Sequence, residues 1–143
     1  MPRDSGELDA ALVGLLQGDA ALTALQPDGV WLDDVPPGAQ RFVMVAVLEA
    51  TDGATFGAGR AFEVVRYRVT AVGHTAVVTG PEIRAAALRI DTLLQDAALT
   101  VGGYPAGVTI ARLGRVRLLE VDDEDRSLRW YHRGGVYELF APN

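Results

Sequence analysis

The sequence contains neither cysteine nor lysine. The first absence removes disulfides, thiolate nucleophiles and cysteine-rich zinc sites together. The second removes the Schiff-base lysine and the lysine of a phosphate-binding P-loop, because both chemistries need a primary amine. All thirteen basic residues are therefore arginine. Serine occurs only as Ser5 and Ser127, and histidine only as His74 and His132. The longest apolar run, Phe42 to Leu48, is far shorter than the ~20 residues that span a bilayer, so no membrane association is expected. Arg3 stands among Asp4, Glu7 and Asp9, the wrong charge balance for a secretory leader, which predicts retention where the chain is made.

What remains is a chain of 143 residues, 49% apolar and 22% charged, the size and composition of one globular domain. Its net charge of −6 and pI near 4.8 argue against binding nucleic acid through bulk electrostatics.

Leu8, Leu12, Leu15 and Leu16 recur at helical spacing, and Asp4 with Glu7 fits a capping box, so a first helix is predicted over about 5–17. Gly18 ends it, and Asp19 caps a short turn carrying Leu22 and Leu25. Val30 to Leu32 reads as a brief strand before the Pro36, Pro37, Gly38 loop. Phe42 to Leu48 reads as a strand covered on both sides, by helices on one and by a second subunit on the other. A glycine-rich tip over 52–60 then leads to a strand over 61–72, in which Val65, Tyr67, Val69 and Ala71 alternate with Arg66, Arg68 and Thr70. Thr79, Pro81 and Glu82 open a second main helix with Ile83, Ala87, Ile90 and Leu94 on its apolar face. Two long strands, over 108–121 and 128–141, are joined by the acidic turn 122–126, and Gly114, Gly134 and Gly135 mark bulges or close backbone approaches. This order predicts an α+β domain spanning 1–143, with one largely antiparallel four- to five-stranded sheet and two main helices packed on one face.

Catalytic and ligand-binding constellations fail on spacing. Ser127 and His132 lie five apart on one predicted strand, so their side chains leave on opposite faces. His74 and His132 have no paired metal-ligand spacing, and a calcium loop read from Asp123 places Leu128 where the sharp turn needs glycine. Gly57, Gly59 and the Gly102 to Gly107 loop precede strands, whereas a dinucleotide finger must precede a helix. No catalytic residue, metal or cofactor is expected. Arg66, Arg68, Arg112, Arg115, Arg117, Arg129 and Arg133 concentrate on three strands, where pairing with carboxylates is the expected role and phosphate contact the sharper alternative. Leu88 falls off the apolar stripe of its helix, and it joins Arg66, Arg68, Gly57 and Arg60 as a candidate interface. Trp31, beside a proline loop, is a candidate contact or a core residue. Asp122, Asp123, Glu124 and Asp125 form a candidate lumen or contact turn. A rival enzyme reading, a small ligand-binding or cyclase-like domain, would need Tyr67, Tyr131 and His132 clustered in a cavity. A nucleic-acid module would need the arginine face unpaired.

The stretch from Leu12 to Leu25, Val30-Trp31, the Val35-Pro36-Pro37-Gly38 loop and Phe42-Val43 resembles the tail-terminator or tail-completion proteins of long-tailed bacteriophages. The resemblance extends to the glycine-rich hairpin, the helix that runs through Ala85 to Leu94 and ends near Leu99, and Trp130 to Gly134 with Tyr137. It implies a virion structural protein without enzymatic activity, forming a ring, commonly a hexamer, on the last ring of the tail tube. Implied partners are further copies of itself, the tail tube protein and a head-completion or connector protein, with DNA only as passing cargo. The implied location is the neck region of the virion tail, reached from the host cytoplasm.

Overall fold

The computed structural model describes residues 6–55 and 59–142, with the backbone alone at Ala54, Thr55, Gly59 and Arg60. The elements are α1 (Gly6–Gln17), α2 (Ala20–Leu25), β1 (Val30–Leu32), β2 (Arg41–Thr55), β3 (Gly59–His74), α3 (Gly80–Leu94), β4 (Ala98–Val101), β5 (Tyr104–Val121) and β6 (Arg129–Pro142). The strands form one six-stranded sheet in the order β1-β2-β3-β6-β5-β4.

This architecture corrects the expected one. The sheet has six strands and is mixed, because β1 pairs with β2 in parallel while every other pairing is antiparallel. Among the described residues strand dominates, and the helices number three. One cause is that β2 runs on to Thr55 through the segment expected to be a glycine-rich tip. Gly53 is tolerated there because the Phe62 ring fills its side-chain space, with its nearest atom 1.9 Å from where a Cβ would stand. The other cause is β4, a short edge strand in a stretch without alternation that paired Leu99 with Val108.

Alternation in β3 sends Val65, Tyr67, Val69 and Ala71 to the face that the helices cover. Leu8, Leu12 and Leu16 of α1 and Ile83, Ala86, Ile90 and Leu94 of α3 complete that core. The buried stripe of α3 thus passes through Ala86, with Ala87 at its margin. Asp19 caps α2 by accepting the Leu22 N–H at 2.8 Å, and Thr79 with Glu82 forms a reciprocal capping box on α3. Three buried tyrosines each find a carboxylate: Tyr67 donates to Asp9, Tyr104 to Glu63 at 2.6 Å and Tyr137 to Asp91 at 3.0 Å.

Two-sided cover of Phe42 to Leu48 is confined to its start. Phe42, Val43 and Val45 are buried, whereas Leu48, the extra residue at a register shift, is 51% exposed. Phe42 faces away from the helices and is covered by Trp130, whose ring centroid lies 6.3 Å away. The glycines on β6 are close approaches. A Cβ on Gly134 would fall 2.0 Å from the Val69 carbonyl oxygen, and one on Gly135 2.9 Å from that of Gly114.

Candidate protein interface

The arginines divide between the two faces of the sheet. On the face away from the helices, Arg66 is held between Glu138 at 3.0 Å and Glu49 at 3.3 Å. Arg68, two residues on, sits in register with Ala46 and Val136 and forms no ion pair among the described residues. On the helix face, Arg112 pairs with Asp91 at 2.9 Å, close to the Tyr137 hydroxyl. Burial, and then the hydrogen bond to Asp91, raise the Tyr137 pKa.

Beyond the end of that core, α3 and the β5–β6 hairpin enclose a groove of about 770 Å³. Arg84 and Leu88 enter it from α3, one helical turn apart, opposite Arg117, Leu119, Tyr131 and Arg133. Leu88 is 56% and Leu119 55% exposed. Arg84, Arg117 and Arg133 form no ion pair among the described residues, so the groove combines unspent positive charge with apolar surface. Such a mixture, arginine beside exposed leucine and tyrosine, is the composition of protein interfaces. Arg84 was missed in the sequence; its i, i+4 spacing with Leu88 was the available signal.

Leu88 therefore lies on the helix side of the sheet and Arg66 and Arg68 on the other, so the structure does not bring the candidate interface residues into one surface. Gly57 and the Arg60 side chain lie outside the described residues. Trp31 is on β1 at the sheet edge, 37% exposed, its indole N–H donating to the Asp28 carbonyl at 2.7 Å.

The acidic turn is two kinds of residue. Asp123 and Glu124 are exposed, whereas the Asp122 side chain is a hub. Its Oδ1 accepts the N–H groups of Glu124 and Asp125 at 2.8 and 3.1 Å, and its Oδ2 accepts the Trp130 indole N–H at 3.1 Å. The Ala76 N–H donates to His74 Nδ1 at 3.2 Å, which leaves Nε2 to donate to Asp122 Oδ2 at 2.7 Å. The backbone donors, ahead of His74, hold the Asp122 carboxyl below its ordinary pKa. Asp125 Oδ1 likewise accepts the Ser127 hydroxyl at 2.7 Å, so Ser127 closes the turn.

The groups of the rival enzyme reading are separated. Tyr67 is inside the core with its hydroxyl on Asp9, Tyr131 faces the groove, and His132 leaves the opposite face to meet Glu120 at 2.9 Å. Among the described residues, no three histidine, aspartate or glutamate side chains are placed to hold a metal.

Neither a protein-family model nor a curated protein sequence matches the chain. Solved structures do. A chain of the virion of a native gene transfer agent particle superposes with a TM-score of 0.68, over 97% of both chains, at 22% identity. A second solved chain superposes with a TM-score of 0.61 at 12% identity, over 99% of this chain and 97% of its own. At these identities the likeness is one of fold. It extends over nearly all of the chain, which adopts the fold of that gene transfer agent virion chain.

Proposed function

We propose that the protein is a virion structural subunit which assembles as a ring on the end of a phage-like tail tube, stops tube growth and offers its far side to the head connector. The observation that carries this reading is the end-to-end likeness of fold to a chain of a gene transfer agent virion. The groove between α3 and the β5–β6 hairpin supports it, since leucine, tyrosine and unpaired arginine there serve contact with protein and assemble no reaction centre. Closed rings use heterologous interfaces, in which two different patches of one subunit meet, and an acidic chain with localised arginine is suited to that. The exposed carboxylates of Asp123 and Glu124 would repel DNA phosphates if the turn lines the lumen, letting DNA pass without sticking.

The test is to mix the purified protein with growing tail tubes and measure tube length by electron microscopy and the mass of the capping species. Tubes of uniform length bearing one multimer at one end are expected. A protein that stays monomeric and leaves tube length unchanged overturns the reading.

A further inference from the structure

Besides the outer edges of the short terminal strands β1 and β4, two long half-edges are left open among the described residues. On the outer side of β5, β4 pairs no further than Thr109; Ile110 N–H then donates to the Ala97 carbonyl at 2.9 Å and Arg112 N–H to Gln95 Oε1 at 3.1 Å. Beyond the register shift at Leu113, no described element pairs with that side up to Val121. The Asp122 N–H donates to the Leu128 carbonyl across the hairpin, which fixes the phase of the ladder. Even-numbered residues of this segment bond β6, and Arg115, Arg117, Leu119 and Val121 turn their backbone N–H and C=O groups outward. An edge of this length is ordinarily blocked by proline or a covering element, because it templates strand addition. Here Leu118, Leu119 and Val121 remain 47 to 55% exposed along it.

The second open edge belongs to β2. Strand β1 pairs with it only as far as Val45, and Asp33 Oδ1 takes the Val47 N–H at 3.2 Å. From Leu48 to Thr55 no described element lies on its outer side. Glu49 in that segment leaves the helix-free face and is held by Arg66, whereas Asp52 leaves the helix-side face, the same face that Arg115 and Arg117 leave in the open half of β5. The two segments are of similar length.

We propose that the open half of β5 in one copy receives the Leu48–Thr55 half of β2 from a second copy as an added strand. The topology sets the polarity. With β2, β3, β6 and β5 successively antiparallel, β5 runs opposite to β2, so a copy related by rotation joins antiparallel. The open halves lie at opposite ends of the sheet, one beside Arg129–Val136 and the other beside Gly59–Arg66, so joined copies are staggered along the strand direction. Stagger of this kind tilts strands about a common axis, as closure of a sheet requires. The contact is heterologous, β5 edge to β2 edge, and therefore propagates from copy to copy. Closure into a ring rests on the reading proposed above; the strand addition itself rests on the two edges.

The absence of native cysteine makes the test clean. Thr51→Cys is combined in turn with Val116→Cys, Leu118→Cys and Glu120→Cys, whose side chains leave the same helix-free face of the sheet as Thr51. Within one copy, two strands separate these positions, about 14 Å at ~4.8 Å per strand, too far for a disulfide. Mild oxidation of the concentrated protein is expected to give a ladder of covalent multimers from at least one pair, ending at the ring number, and none from Thr51→Cys alone. Leu119→Pro removes an outward N–H and keeps the β6 ladder; it is expected to keep the native circular dichroism spectrum and lose assembly. If it fails to fold, the cysteine ladder decides. A multimer of unchanged mass with no cross-link from any pair overturns strand addition and leaves the ring reading standing. Dimers linked between two copies of the same single cysteine overturn the heterologous pairing. A chain that is monomeric at every concentration, with or without tail tubes, overturns both.

Discussion

Arg89 of α3 grips Asp19 through two charge-assisted bonds, Nε to Oδ2 at 2.8 Å and Nη2 to Oδ1 at 2.6 Å. The same carboxylate caps α2, so one side chain both terminates the α1–α2 turn and staples it to α3. The Arg89 hydrogen bond, followed by the Leu22 backbone N–H, lowers the Asp19 pKa from 3.8 to about 2. A carboxyl lowered on folding contributes stability that is complete above its unfolded value and fades as pH falls through its folded one. Thermal melts should therefore show acid destabilisation between 3.8 and about 2 that Asp19→Asn makes shallower, with a lower Tm at neutral pH. An unchanged acid profile in that variant would show that the pair does not couple to folding.

Gly134 is a backbone contact in the middle of the sheet, with the Val69 carbonyl oxygen and Thr70 Cα where a methyl group would go. Neither neighbour is a flexible side-chain end, so Gly134→Ala must push β3 and β6 apart. A loss of about 3 kcal/mol is expected in chemical denaturation, at the upper end of overpacking costs. Gly102→Ala, with open space around it, is the control and should cost far less.

These two cases show what could be read from the sequence. Caps and apolar helix faces are local, so Asp19, the Thr79–Glu82 box and the start of α3 were legible within a residue or two, whereas α3 ends at Leu94 and not near Leu99. The alternation of β3 was equally plain, and Gly114 and Gly134 were marked as special. Sheet size was not legible. It depended on Phe62 filling the space over Gly53 and on a four-residue edge strand held by long-range pairing, neither of which leaves a period in the sequence. The surface was the least legible: the clustered arginines were visible, but only the register separates the clamped Arg66 from the unpaired Arg68 and assigns the two to the face opposite Leu88.

The acidic turn should respond unevenly to charge removal. If all four acidic residues were solvated surface charges, replacing them by amides would leave folding largely intact. Asp122, however, accepts from two backbone N–H groups, the Trp130 indole and His74, and an amide cannot accept from all of them with both of its ends. Asp122→Asn is expected to lower the Tm, while Asp123→Asn with Glu124→Gln leaves it unchanged. Equal melting curves for the two variants would contradict the hub assignment.

Tyr67→Phe removes a hydroxyl that donates to Asp9 in the core and leaves that carboxylate short of a partner. A loss of about 1 kcal/mol is expected, the net worth of one hydrogen bond, because the half-buried Asp9 stays within reach of water. His132→Gln on the other face should cost little. The informative measurement is function: a double variant that still caps tubes of normal length shows that proton transfer by these groups is dispensable. Normal assembly with loss of infectivity would require a chemical role.

Charge reversal at Arg66 and at Arg68 should have different outcomes, although the two residues share a strand and a face. Arg66→Glu would place a third carboxylate between Glu49 and Glu138, each now within 3.3 Å of the guanidinium, and like charges opposite one another weaken a sheet. Its expected effect is on folding, seen as a lower Tm that recovers in part as salt screens the repulsion. Arg68→Glu breaks no pair and is flanked by Ala46 and Val136, so its Tm should stay at the wild-type value. If the helix-free face meets an acidic partner, the same variant should slow or abolish capping of tail tubes, because reversing an exposed interface charge acts on association before it acts on the fold. Native melting together with normal capping by Arg68→Glu would remove this face from the interface and leave the α3 groove and the strand edges to carry it.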